Sequence, residues 1–255
     1  MLKPVVIKAD NLYKTLQGQE ILKGFSLSVK QGEIVAIIGQ SGKGKSVFLK
    51  HLVGLMKPDS GKITINGVDI TSADRKGLTN VRKKFGYVFQ NGALLDSMNI
   101  FDNVALPLRE VLNLKEDEVR EIVLKELELV GLRDAVWKSP SEVSGGMIRR
   151  VALARALVMR PEIILFDEPT TGLDPIISRA ILKHIRLLHK KYKFTGVLIT
   201  HQIPQAFDVV QKVAMIYEGK AVVVETPENI MKCTHPIVCQ FIHGRLDGPI
   251  KEDYF

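Results

Sequence analysis

The stretch GQSGKGKS, residues 39–46, decides the fold class. It fits the pattern G-x-x-x-x-G-K-[ST], whose glycines let main-chain N–H groups curl around phosphate oxygens. Chance would give such a match in a chain of this length about once in a hundred. The apolar run IVAII (34–38) precedes it, and KSVFLKHLVGL (45–55), with apolar residues at helical spacing, overlaps its end. Strand, glycine-rich loop and helix in this order predict a phosphate-binding loop.

The lysine and serine that close this loop have separate expected roles. Lys45 would reach the β- and γ-phosphates of a nucleotide, and Ser46 would bind Mg²⁺. A plain glycine turn is the alternative, which the flanking strand and helix disfavour. The predicted nucleotide-binding residues here are Gly39, Gln40, Ser41, Gly42, Lys43, Gly44, Lys45, Ser46 and Val47.

Four polar residues follow other apolar strands. IILFDE (163–168) delivers Asp167 to the end of the sheet near the metal, with Glu168 next, placed to polarise an attacking water. Gln90 follows FGYVF and His201 follows GVLIT. Loop solvation, a surface glutamine and a structural histidine are the alternatives. Because the carboxyl ends of parallel strands meet at one edge of a sheet, we expect all four to face the phosphates.

Composition limits the class of protein. The 255 residues suffice for one large α/β domain or two smaller units. The longest apolar runs are far shorter than the ~20 residues of a membrane span, and two cysteines favour a reducing compartment. We therefore expect a cytoplasmic chain. The net charge of +8 is dispersed, which favours a solvated basic surface, with a membrane-proximal surface as the alternative, and no nucleic-acid partner is expected.

Buried strands alternating with helices indicate an α/β fold with a parallel sheet covered on both faces. Near the N-terminus, runs rich in β-branched residues predict further strands, and Asn66-Gly67 predicts a hairpin. From about residue 91 the apolar residues recur at helical spacing, and strand-like runs are absent until about residue 159. We interpret the chain as an α/β core at 1–90 and 159–225, an inserted helical block at 91–158 and a tail at 226–255.

SGGM (144–147) also has the composition of an anion-binding nest, but it has no lysine in the usual order. With GQSGKGKS, Gln90, ILFDEP, TGLD (171–174) and His201, it resembles the ordered motifs of ABC-transporter ATPase subunits. The resemblance covers nearly the whole chain. It implies a P-loop NTPase with a RecA-like core, an antiparallel β subdomain and an inserted α-helical subdomain, using ATP and Mg²⁺.

The same resemblance implies a role for each matching residue. Glu168 resembles the general base, His201 the γ-phosphate switch and Lys45 the phosphate-binding lysine. The implied magnesium shell is Ser46, Gln90 and, through water, Asp167. The nest resembles the family signature, which donates to ATP held by a second copy of the chain. The residues that would act across this dimer are Ser144, Gly145, Gly146 and Asp174.

Two positions depart from the family pattern. Met147 stands where the signature usually ends in glutamine, which puts only a side-chain contact in doubt. Leu16 stands where an aromatic residue usually stacks on adenine, and Tyr13 is three residues earlier. The resemblance therefore supplies no adenine-stacking residue.

Three segments resemble the Mla/Mce-associated (MlaF-like) phospholipid-transport ATPases. They are FQNGALLDSMNIFDNVALPLRE (89–110), SGGMIRRVALARAL (144–157) and QFIHGRLDGPI (240–250). This implies a subunit that energises phospholipid movement between membranes through a separate permease, with an Mce-domain substrate-binding protein. It would lie peripherally on the cytoplasmic side of the inner membrane. An importer ATPase for amino acids or other small solutes, and a soluble ABC ATPase without a permease, are the alternatives.

Two further clusters have competing interpretations. The apolar residues that follow Gln90 could receive a permease helix or simply pack in the core. The zinc-ligand types in CTHPIVCQFIH match no standard zinc spacing, and the resemblance explains this segment as a metal-free tail helix. The two clusters are, respectively, Leu94, Leu95, Met98, Ile100 and Phe101, and Cys233, His235, Cys239 and His243.

Overall fold

The structure, a computed structural model, describes residues 3–112 and 114–251. The strands are β1 Val5–Leu16, β2 Gln19–Lys30, β3 Ile34–Ile38, β4 Ser60–Ile65, β5 Val68–Asp69, β6 Phe85–Val88, β7 Ile163–Asp167, β8 Thr195–Ile199, β9 Lys212–Tyr217 and β10 Lys220–Glu225. The helices are α1 Lys45–Leu52, α2 Arg75–Arg82, α3 Ile100–Val111, α4 Glu116–Leu129, α5 Gly145–Leu157, α6 Pro175–Tyr192, α7 Pro227–Met231 and α8 Pro236–His243.

The chain forms two compact units, Met1–Thr71 with His201–Phe255, and Ser72–Thr200. The predicted division into a core, a helical block at 91–158 and a tail remains a prediction. The last four residues of that tail, 252–255, lie outside the described residues.

The first unit contains an antiparallel sheet in the order β2-β1-β4-β5. The predicted hairpin is confirmed, since Asn66 and Gly67 both have positive φ between β4 and β5, as a tight turn requires. In the same unit β9 lies parallel to β3 and antiparallel to β10. Every residue of β3 is buried, so this strand holds the start of the phosphate loop in the core.

The second unit is built on three parallel strands, with β7 between β6 and β8. The apolar runs that predict β7 and β8 are buried, and α3, α4 and α5 are the helices that the periodicity of 91–158 predicts. The sequence did not predict α2. Its eight residues include just two large apolar side chains, Leu78 and Val81, which are too few to establish a helical period. The helix begins after Asp74, whose Oδ1 accepts a hydrogen bond from the Gly77 N–H (2.7 Å).

Within the tail, a buried amide on α8 binds the segment that follows this helix, residues 245–251. Gln240, 6% exposed, donates from Nε2 to the carbonyl of Ile250 (2.9 Å) and accepts at Oε1 from the Ile250 N–H (2.7 Å). A Cβ at Gly248 would lie 2.3 Å from that Oε1, so only glycine fits there. The hydroxyl of Tyr217 also donates to the Pro249 carbonyl (3.3 Å).

We expect Gln240→Leu to free the segment 245–251 from α8, because leucine fills similar space but leaves the Ile250 N–H and carbonyl without their partner. Tryptic cleavage after Arg245 should become about tenfold faster, since local opening controls proteolysis. His243→Ala, at an exposed position on the same helix, is the control and should cleave like the parent chain. Equal cleavage rates for Gln240→Leu and the parent would contradict this attachment.

Candidate functional site

The phosphate loop has the conformation that its glycines predict. Gly39 has φ 142, and a Cβ there would lie 2.3 Å from the carbonyl oxygen of Ile216, so no side chain fits. Gly44, with φ 98, precedes the first residue of α1. Lys45 is 4% exposed, and its Nζ donates to the carbonyls of Gly39 (2.8 Å) and Gln40 (2.7 Å). The ammonium is thus held against the loop at a helix N-terminus, where an anion binds well.

His201 lies beside this loop. It lines a cavity of about 880 Å³ together with Gln40 and Ser41 of the loop and residues 240–251 of the tail. A second cavity of about 230 Å³ touches Ile21, Lys43 and Tyr217 on another side of the loop. His201, Gln40 and Ser41 thus line one cavity of the first unit, and the contact of His201 with a phosphate remains a prediction.

The predicted acids of the second unit lie at the end of β7: Asp167 is its last residue and Glu168 follows it. Glu168 has φ 49, a left-handed conformation that is unusual for a residue with a side chain, and its N–H donates to the Ile199 carbonyl (3.0 Å). Asp167 accepts at Oδ2 from the hydroxyl of Tyr87 (3.2 Å). Burial and, next, the Asp167 carboxylate raise the pKa of Tyr87, so the phenol stays protonated and remains a donor.

The carboxylate of Glu168 is held by two neutral donors on one oxygen. Its Oε2 accepts from Nε2 of Gln90 (3.2 Å) and from Oγ1 of Thr171 (2.9 Å). The structure thus brings the predicted residues Gln90 and Glu168 into contact. Sequence reasoning missed Tyr87 and Thr171, and the only available signal was that Thr171 lies three residues after Glu168.

The signature serine begins a helix. Ser144 caps α5 by accepting the Met147 N–H at Oγ (3.3 Å), so Met147 contributes its main chain to the nest. Gly146 must be glycine because a Cβ there would lie 2.7 Å from Cγ2 of Ile177. Ser144 and Gly145 are exposed, as an anion-binding helix start requires.

Asp174 has a local partner that the sequence analysis did not identify. Its Oδ1 caps α6 by accepting the N–H groups of Ile176 (2.9 Å) and Ile177 (3.0 Å). Its role across a dimer remains a prediction.

The proposed magnesium ligands form a chemically suitable set. A serine hydroxyl, a glutamine amide and the Asp167 carboxylate are hard oxygen donors, which Mg²⁺ prefers, usually together with substrate phosphates. Within residues 3–112 and 114–251, no group of three His, Cys, Asp or Glu side chains could hold a metal ion by itself. In the tail, the Cys239 thiol donates to the Cys233 carbonyl (2.6 Å). Across the same described ranges, no helix is long and apolar enough to cross a membrane.

A glycine-lined phosphate loop with its lysine and serine, and a buried strand followed by two successive carboxylates, are the features of P-loop ATPases. The family model described as "ABC transporter" matches residues 22–171. The chain belongs to the ABC transporter family, whose ATP-binding domains bind and hydrolyse ATP.

Two groups of relatives match almost the whole chain. The intermembrane phospholipid transport system ATP-binding protein MlaF of Haemophilus influenzae is 40% identical over 98% of this chain and 94% of its own length. The probable ribonucleotide transport ATP-binding protein mkl of Mycobacterium leprae is 42% identical over 96% of this chain and 71% of its own length.

Solved structures confirm the predicted fold class. A dimeric ATP-binding cassette in a post-hydrolysis state, bound to ADP and Pi, has a TM-score of 0.80 and 32% identity, covering 87% of this chain and 98% of that one. The cbiO1 protein of Clostridium perfringens, part of the ABC transporter complex cbiONQ, has a TM-score of 0.83 and 30% identity, covering 95% and 96%.

Proposed function

We propose that this chain is the ATPase subunit of an ABC transporter that moves phospholipid between membranes. The observation that carries the proposal is the match to a phospholipid-transport ATP-binding protein over 98% of this chain and 94% of the relative, tail included. It would act as a homodimer, bound peripherally to a membrane permease and working with an Mce-domain substrate-binding protein. The dimeric form of a similar solved cassette supports the homodimer.

In the proposed hydrolysis, fixed groups offset the charge that develops on the γ-phosphate. Lys45 and the loop N–H groups bind the phosphates, and Glu168 orients the attacking water. Mg²⁺, held by Ser46, Gln90 and, through water, Asp167, would supply further charge compensation when bound. His201 would contact the γ-phosphate.

The second copy would complete each site. The exposed N-terminus of α5, with Ser144, Gly145 and Gly146, would donate to the nucleotide held by its partner. This arrangement explains why the nest in SGGM has no lysine of its own: the lysine belongs to the other copy.

A groove in the second unit supports the proposed permease contact. This cavity of about 330 Å³ is lined by residues that include Phe89, Leu95 and Leu106. Phe89 and Leu95 are 41% and 43% exposed, whereas Ile100 and Phe101 are buried. The apolar cluster after Gln90 therefore divides: its later members pack in the core, while Leu95 remains available to a partner.

The cargo is tested by reconstitution with the co-purified permease in liposomes. We expect ATP to drive transfer of a fluorescent phospholipid, and a labelled ribonucleotide supplied on the cargo side of the membrane not to be transported. Transport of a labelled ribonucleotide or amino acid without lipid transfer would instead favour the mkl-type cargo or the solute importer. A chain that recovers no permease from native membranes would favour a soluble ATPase.

A further inference from the structure

Arg149 is a buried cation that the roles above do not use. It is 8% exposed, and its Nε is buried without a hydrogen-bond partner. Burial lowers the pKa of its guanidinium, and among the described residues no carboxylate opposes that shift. A buried charge without an opposite charge destabilises a fold, so a function of Arg149 would explain its presence here.

The side chain lies on the face of α5 that contacts the loop after β7. Arg149 is four residues after Gly145, so the two share one helix face. A Cβ at Gly145 would lie 3.4 Å from Leu173, and one at Gly146 would meet Ile177. The first turns of α5 thus pack against the segment 171–177.

Two hydrogen bonds join Arg149 to the proposed general base. Nη2 of Arg149 donates to the carbonyl of Thr171 (3.1 Å). The hydroxyl of the same threonine donates to Oε2 of Glu168 (2.9 Å), and its N–H donates to the Glu168 carbonyl (3.2 Å). Thr171 is therefore held at its carbonyl by α5 while its other groups hold Glu168.

We propose that Arg149 is a positioning residue that fixes Thr171, so that the threonine hydroxyl orients the Glu168 carboxylate. The proposal rests on the role proposed for Glu168. Helix α5 would then act in two sites. Its N-terminus would contact the nucleotide bound by the partner, while Arg149 would orient Glu168 of its own copy through Thr171. Occupation of one site would thereby be communicated to the other through hydrogen bonds within a single chain.

The first test compares two substitutions of Arg149. In Arg149→Met we expect kcat for ATP hydrolysis to fall about tenfold, because small misplacements of catalytic groups are costly, with KM within about twofold. The unfolding midpoint should stay equal or rise, since an apolar residue replaces a buried charge. Arg149→Lys, which can still donate to the Thr171 carbonyl, should recover much of kcat.

Arg150 supplies the matched control. Its Nη1 donates to the carbonyls of Val130 (2.9 Å) and Gly131 (3.2 Å), away from the loop that follows Glu168. Arg150→Met should therefore keep kcat. A fall in kcat for Arg149→Met that appears only with a lowered unfolding midpoint, and that lysine does not rescue, would reduce Arg149 to a structural residue and overturn the proposal.

A double-mutant cycle with Thr171 separates this proposal from the assignment of the base. Thr171→Val should lower kcat like Arg149→Met, Thr171→Ser should not, and the double variant should lose no more than either single one. Losses that multiply would refute the connection. If Arg149→Met fails to fold, Arg149→Gln, which removes the charge but keeps a polar side chain, replaces it in this cycle. Near-normal turnover in Glu168→Gln would instead contradict the assignment of Glu168 as the general base, independently of the result of the double-mutant cycle.

Discussion

Glu168→Gln is expected to bind MgATP normally but to hydrolyse it at least about 100-fold more slowly, since general-base catalysis contributes 10²–10⁴-fold. The amide keeps the size of the side chain and can still accept the Thr171 hydroxyl, which donates to Oε2 in the parent (2.9 Å). It cannot accept a proton from water. The ATP-bound closed dimer should therefore accumulate, measured by phosphate release in a single turnover and by size-exclusion chromatography with ATP.

The control for this variant is Glu162→Gln. Glu162 is exposed just before β7 and pairs with Lys84 (3.4 Å), so the same chemical change is made far from the proposed reaction. Its turnover should equal that of the parent. If Glu168→Gln kept more than half of the parent rate, another group would have to activate the water.

Lys45→Ala should weaken ATP binding by at least about 100-fold and abolish measurable hydrolysis, because a charge-assisted contact to the β- and γ-phosphates is lost. Lys45 is 4% exposed inside the loop, so no neighbouring side chain can readily replace it. Lys43→Ala, at an exposed loop position, is the matched control. It keeps the main-chain N–H that is expected to bind phosphate, and its affinity should fall far less.

Mixed dimers extend this test to the second copy. Lys45→Ala and Ser144→Arg chains, each inactive alone, should regain hydrolysis when mixed, because one site then combines an intact loop with an intact signature. A mixture without any recovery would contradict the sharing of sites between copies. Equal ATP affinities for Lys45→Ala and the parent would contradict the phosphate-binding role of the lysine itself.

Local patterns predicted most of the fold and the site. A glycine-rich loop between an apolar strand and a helix is a property of neighbouring residues, so the placement of Lys45 follows from sequence. The short helix α2 could not be predicted from the sequence, because it contains few apolar residues and buries only Val81. The contacts from Tyr87 to Asp167 and from Arg149 to Thr171 join residues 80 and 22 positions apart, and no single-sequence period encodes them.

The attachment of residues 245–251 to α8 has a consequence for how freely the sequence of this segment can change. The Gln240 amide exchanges hydrogen bonds with the Ile250 peptide much as a neighbouring strand would. The bound partner is a main-chain N–H and carbonyl, which every residue type except proline carries. The exposed side chains of Arg245, Leu246 and Asp247 can therefore diversify among relatives without loosening the anchor, provided that glutamine and Gly248 persist.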